Sequence, residues 1–249
     1  MNKTLIDILL SIPAVLLSLT LHECAHGWIA YRLGDPTARD LGRLTLNPMR
    51  HVDPFGALSL LLFHIGWAKP VPINPRNFKR PRADMALTAL AGPVTNFLIS
   101  FISVPIYLAL SLAFDKTYAL PNSPFVWQFL FYLSYFFYLL HLMNLALALF
   151  NLLPLTPLDG SRILYLFLPK RAYFWFVRHE RQIYIFVLLW LVGGAYLAGF
   201  LLDVVPGLAE NPVLSRIVSF LSLTGWIGDA AAKISGWMIS LFLKLRFLS

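Results

Sequence analysis

The run Leu21-His22-Glu23-Cys24-Ala25-His26 carries the residue types needed for metal-assisted proton chemistry. Residues four apart on a helix share a face, one turn from each other, so two imidazoles at this spacing can grip one metal ion. Glu23 stands beside the first of them and can take a proton from a metal-bound water. The chain holds only three glutamates and six histidines, so the arrangement is not a by-product of composition. A charged side chain at mid-helix in a bilayer costs about 2.5–3.5 kcal/mol, so this cluster calls for a partner, and a metal is the obvious one. A metal-free polar network between helices is the competing explanation. Cys24 is two residues from each histidine, points to the other side of the helix and is expected to be a small buried residue.

A catalytic zinc takes three protein ligands and keeps one position open. Asp7, His141 and Asp159 are the third-ligand candidates at membrane depth. Asp159 is the best of them. It follows Asn151-Leu-Leu-Pro154-Leu-Thr-Pro157-Leu158, and the two prolines cannot continue a helix. Gly160 then permits an unusual exit. A broken helix inside a bilayer is tolerated where it lines a cavity, and a carboxylate at such a break is well placed for a ligand. The plainer role for Asp159 is to cap a helix starting at Gly160, and the two roles are compatible.

The elements that must position these residues are helices in a membrane. Of the 249 residues 58% are hydrophobic and 13% charged, about half the charge of a soluble domain, and the mean hydropathy is +0.69. A span takes about 20 apolar residues. Four stretches qualify: Leu5–Leu33, Met85–Phe114, Phe125–Leu153 and Ile183–Leu202. A fifth, Val213–Leu248, is interrupted by Asp229 and Lys233 and would span or lie on the surface. The first stretch is too long for a signal peptide and is expected to stay. One cysteine excludes an internal disulfide.

The expected fold is therefore an all-α polytopic membrane protein: a bundle of about four to six transmembrane helices with a short β or re-entrant insertion between the first two. Residues 1–207 form the core, with the insertion at 34–82 on the cytoplasmic side, and 208–249 form an amphipathic or transmembrane tail. The insertion is dense in glycine and proline. Its apolar run Phe55–Trp67 is too short to span, and Arg43–Leu46 and Ala68–Ile73 are expected to be short extended pieces, the latter kept on an edge by Pro70 and Pro72.

Charge sets the orientation. Nine of the 20 Lys and Arg residues lie in 31–85, and 168–182 holds four more, whereas 115–124 holds only Lys116. The positive-inside rule puts 31–85 and 168–182 in the cytoplasm, and 115–124, 203–212 and the N-terminus outside. Charges that flank membrane segments need only lipid headgroups, so the net charge of +8 does not indicate nucleic-acid binding.

With these residues in view, the chain resembles the site-2 protease family of intramembrane zinc metalloproteases, in its compact bacterial-type branch. His22-Glu23-x-x-His26 matches the first signature. Leu158-Asp159-Gly160 matches the second, within Phe150-Asn-Leu-Leu-Pro-Leu-x-Pro-Leu-Asp-Gly. Ala91-Gly92-Pro93-x-x-Asn96 reads as the opening of the second helix, as in the family, and the stretch Gly34–Phe78 is similar too. The likeness covers about residues 15–170. It implies one zinc per chain on His22, His26 and Asp159, with Glu23 as general base and acid. The implied reaction is hydrolysis of peptide bonds within or near transmembrane segments of other membrane proteins. The setting would be a multi-pass cell-membrane protein with its site toward the cytoplasm.

Asn96 is expected to aid the substrate or the developing oxyanion, with an interhelical hydrogen bond beside Gly92 as its other role. Asn144 and Asn151, seven apart, fit helix packing best. His51, His64, His141 and His179 are expected to be satisfied or interfacial side chains, with His51 near the cleft. The segment Ala68–Ile73 could clamp an unwound substrate by strand addition. The alternative function is a non-enzymatic polytopic metal-binding or transport protein using the same cluster, although the paired half-structures of transporters are absent from the sequence. No motif specifies an oligomer.

Overall fold

The structure, a computed structural model, describes residues 3–53, 56, 68–118, 124–205, 210–211, 218 and 223–247. Its elements are α1 (Lys3–Arg32), the single-turn α2 (Thr37–Asp40), α3 (Pro81–Tyr118), α4 (Pro124–Asn151), α5 (Asp159–Phe167), α6 (Lys170–Arg178), α7 (Glu180–Val204) and α8 (Leu223–Phe247). Short 3-10 turns at Pro48–Arg50 and Pro75–Asn77 punctuate the insertion between α1 and α3. Each begins with an asparagine whose side chain accepts a main-chain N–H two residues on, followed by proline in the first turn.

Three of the described helices are long and apolar enough to cross a membrane: Leu5–Arg32, Pro81–Lys116 and Pro124–Asn151. They form the centre of the molecule, with α3 packed on both α1 and α4. The helices read at Ile183–Leu202 and within Val213–Leu248 are present as α7 and α8. Prolines 13, 93 and 105 sit inside α1 and α3, where packing against neighbouring helices compensates the lost main-chain hydrogen bonds. Large apolar side chains such as Ile8, Leu9, Ile102 and Phe129 point outward, as expected where lipid is the solvent.

Inside, hydrogen bonds hold helices together where hydrophobic burial gives little drive. Asn144 of α4 donates to Ser18 of α1 at 2.7 Å and to its own helix at Leu140. His141, one turn earlier, lies 2.8 Å from Ser100 of α3 through Nδ1 and 2.8 Å from Ser235 of α8 through Nε2. Tyr135 donates to Asp7. Val104, Leu145, Ala231 and Met238 form the apolar core that seats α8 on α3 and α4.

Of the two expected extended pieces, the first is a bend and the second pairs at one point. Among the described residues there is no strand. One isolated antiparallel bridge joins Val52 and Ala68. Arg43–Leu46 is a bend because its backbone partners are local: Arg43 N–H donates to Ala38 and Asn47 N–H to the Thr45 hydroxyl. Pro70 and Pro72 remove two donors from the second piece, so no ladder grows from Ala68. The apolar run Phe55–Trp67, with His64, lies outside the described residues apart from Gly56. α1 is followed at once by a turn at Gly34, whose φ of 108° is open to glycine and strained for other residues.

Candidate metal centre

His22 and His26 occupy adjacent turns of α1, before the end of the helix that carries Arg32. Both are buried, with 6% of their surface exposed. Their Nε2 atoms face each other at 3.0 Å, with the rings perpendicular. Asp159 is the first residue of α5, and its Oδ2 lies 3.2 Å from His22 Nε2 and 3.3 Å from His26 Nε2. It stands inside the helix, not at its cap: Leu158 holds the cap position and Asp159 makes no capping bond. The sequence expectation of an N-cap is thereby corrected. The carboxylate is free to face the imidazoles because the prolyl bend, not a cap, starts the helix.

Three ligand atoms from residues 22, 26 and 159 thus form a nearly equilateral triangle. Tetrahedral zinc with bonds of roughly 2.0–2.1 Å holds neighbouring ligand atoms about 3.3 Å apart. The edges here are 3.0 to 3.3 Å. Asp159 Oδ2 is also buried and accepts no hydrogen bond. Three electron-rich atoms aimed at one point are costly unless a cation sits between them. The residues therefore fit a metal, and among the described residues this is the His/Cys/Asp/Glu group so arranged.

The far sides of both rings are held by one stripe of α3. Thr88, Gly92 and Asn96 recur every four residues and so share a face. The Thr88 carbonyl accepts from His26 Nδ1 at 2.7 Å. Asn96, fully buried, places its amide 3.2 Å from His22 Nδ1 while its Oδ1 has no partner. The two orientations of an amide are nearly isosteric. The one that sets Oδ1 against Nδ1–H satisfies both groups and leaves each Nε2 lone pair for the metal, as outer-shell partners do in metal sites. Gly92 lies between: a methyl there would sit 2.6 Å from His22 Nε2 and 2.5 Å from His26 Nε2. The Ala91–Asn96 motif does not open the second helix, which starts at Pro81. The earlier start is fixed by Asp84, which accepts from the Arg80 main-chain N–H.

The bend that delivers Asp159 is equally tight. Leu155 N–H donates to Leu153 and Leu158 N–H to Leu155, and Thr156 bonds Tyr165 across the turn. A methyl on Gly160 would overlap the carbonyls of Leu152 and Leu153. Glu23 points toward the insertion, where its Oε2 accepts the Val71 main-chain N–H at 2.8 Å. Sequence reading missed this contact and the Thr88 carbonyl, since main-chain groups leave no residue signature.

The other candidates lie elsewhere. Asp7 bonds Tyr135, and His141 serves the α3–α4–α8 contact. His51 is buried and bonds the Thr45 carbonyl, while His179, between α6 and α7, donates to the Trp175 carbonyl of α6. Asn144 and Asn151 bond within or between helices.

Outside the membrane-spanning segments, Asp35 is the carboxylate whose environment is most built. Burial opposes its ionisation, yet hydrogen bonds from Thr37, Asn77 and Asn74 outweigh that and hold it below the usual carboxylate range.

A His/His/Asp group beside a glutamate, among helices long and apolar enough to cross a membrane, has the donor set and the neighbouring carboxylate of a metal-dependent hydrolase site. The chain belongs to peptidase family M50, the site-2 protease family, whose profile it matches over residues 10–192. It is 45% identical over 150 residues to the candidate zinc metalloprotease YwhC of Bacillus subtilis, covering 60% of this chain and 65% of YwhC. It is 30% identical over 149 residues to Rip2 of Mycobacterium tuberculosis, a candidate zinc metalloprotease too, covering 58% and 52%. The Mycolicibacterium smegmatis Rip2 is 29% identical over 157 residues, covering 61% and 54%. The chain thus spans between about half and two thirds of these relatives. No solved structure matches.

Proposed function

We propose that this chain is an intramembrane zinc metallopeptidase that hydrolyses peptide bonds within or near transmembrane segments of other membrane proteins. The triangle of His22 Nε2, His26 Nε2 and Asp159 Oδ2, with Glu23 next in sequence to the first of them, carries this reading.

One zinc per chain would be held by His22, His26 and Asp159. When bound, it would acidify a water to a pKa of about 7 and polarise the scissile carbonyl. Glu23 takes the proton from that water and returns it to the departing amine, a transfer worth about 10²- to 10⁴-fold in rate. Asn96 and the Thr88 carbonyl fix the imidazoles from behind. The fully buried position of Asn96 against His22 favours this supporting role over contact with an oxyanion.

The protein is read as a multi-pass cell-membrane enzyme of four to six spans, with α7 and α8 adding to the three longest helices. Its site faces the cytoplasmic side. Support comes from the cations Arg32, Lys79, Arg80 and Arg82 at the ends of α1 and α3 nearest the site. The core is read as 1–207, and 208–249 as a tail that docks on it through α8.

Glu23→Gln tests the function. The variant should keep stoichiometric zinc and lose cleavage of a single-span substrate by at least about 100-fold. A metal transporter would keep its flux, so transport unaffected by Glu23→Gln, with no cleavage by wild type, refutes the enzyme.

A further inference from the structure

Among the described residues, the main-chain N–H of Val71 donates to Glu23 Oε2 at 2.8 Å. That donor sits in Lys69-Pro70-Val71-Pro72-Ile73. Proline has no N–H and fixes its own φ, and it biases the residue before it toward extended backbone. Val71 therefore carries the lone N–H between Lys69 and Ile73.

The segment is pinned on both sides of this donor. Upstream, Lys69 N–H donates to the His51 carbonyl at 2.8 Å, and the buried Arg43 donates through its guanidinium to the Lys69 carbonyl at 2.7 Å. Downstream, Asn74 N–H and the Asn77 side chain each donate to Asp35 at 2.7 Å, and Asp35 lies just past the end of α1. Val71 itself is buried, and its side chain rests on Gly27: a methyl at Gly27 would stand 3.2 Å from Val71 Cγ1. Gly27 is one turn beyond Glu23 on α1, so side chain and amide of Val71 meet the same helix on neighbouring turns.

We propose that the Val71 main-chain amide is a positioning group for Glu23, presented by a Pro-Val-Pro segment that is anchored to the end of α1 by Asp35 and to the insertion by Arg43 and His51. A carboxylate on a flexible side chain has several rotamers. One oxygen engaged by a fixed donor selects one of them and leaves the other oxygen for the proton. The inference rests on the reading of Glu23 as general base and adds the group that aims it. A misplacement of about 1 Å near a reacting centre can cost about 100-fold in rate, so an untethered base should be slow even in an intact metal site.

The test uses the full-length chain in lipid nanodiscs, with single-span reporter substrates selected for cleavage by the wild type. Val71→Pro removes the N–H. An amide-to-ester replacement at 71, made with the α-hydroxy acid of valine, removes it with no change of side chain. Val71→Ala keeps the N–H. The expected result is a fall in kcat of about 10- to 100-fold for the N–H deletions, with KM and bound zinc near wild type, and recovery of most of that kcat in Val71→Ala. The ester variant decides if Val71→Pro fails to fold. Wild-type kcat in the ester variant overturns the proposal. So does a change confined to KM, which would make the amide a substrate contact, or a loss of zinc, which would make it part of the metal site's scaffold. Glu23→Gln, assayed alongside, separates the two levels: if it cleaves normally, the general-base reading itself fails; if it is dead while the ester variant is normal, only the positioning role fails.

Discussion

Gly92→Ala probes the geometry of the centre without touching a ligand. In place of hydrogen, a methyl at residue 92 would stand 2.5 Å from His26 Nε2 and 2.6 Å from His22 Nε2. Ordinary contact of a carbon with a ring nitrogen needs about 3.4 Å or more, so close packing forces α3 or the imidazoles to retreat by about 1 Å. The ligand triangle has edges of only 3.0 to 3.3 Å, so that displacement is about a third of its size. It also pulls against the Thr88 and Asn96 contacts on the same stripe. Overpacking of this kind costs about 1–3 kcal/mol of stability, which a well-packed bundle can survive, whereas a 1 Å error at the reacting centre costs about 100-fold in rate. Gly193→Ala in α7, where a methyl meets nothing within 4 Å, is the control. The assay pairs zinc content by mass spectrometry of purified protein with cleavage of a single-span substrate, and circular dichroism checks the helices. Gly92→Ala should retain its helicity, lose most of its zinc and fall at least about 100-fold in turnover, while Gly193→Ala matches wild type. Full zinc and full turnover in Gly92→Ala would refute the placement of α3 against the two histidines.

Asp159→Asn removes the anionic ligand and should drop bound zinc well below one per chain, read by the same metal analysis. Asn96→Ala should weaken zinc affinity or activity by about 10- to 100-fold while leaving the fold intact, as loss of an outer-shell partner does; a chelator competition titration measures it. Asp35 is held below the usual carboxylate range in the folded protein, so its contribution is present above the unfolded-state pKa of about 3.9 and is lost as pH falls through its lower folded value. The unfolding temperature should therefore decline more steeply with acid below about pH 4 in wild type than in Asp35→Asn, and hydrogen exchange at Asn74 should rise over the same range. Ser235→Ala deletes the α8 partner of His141 and should cost about 0.6 kcal/mol, the average for a hydrogen bond between membrane helices, measured by reversible unfolding in bicelles.

The sequence by itself determined the membrane setting and the pairing of the two imidazoles proposed to hold the metal. Both follow from local rules: about 20 apolar residues make a span, and four residues make one helical turn. Helices α1, α3, α4 and α7 arise where the apolar runs stand, with ends within a few residues, and α8 occupies the later part of the fifth run. Asp159 was legible because two prolines and a glycine mark a break at that depth. Its orientation was not: the carboxylate faces the histidines from within α5, a matter of how the bend closes. In the described part of the insertion pairing stops at the single Val52–Ala68 bridge, since a strand depends on a partner ladder that prolines at 70 and 72 withhold. Only tertiary structure brought Asp159 to the histidines across 133 positions of sequence, set the Thr88–Gly92–Asn96 stripe behind the rings, and delivered the Val71 N–H to Glu23. Those contacts are main-chain or long-range, and neither kind is written in the spacing of side chains along one helix.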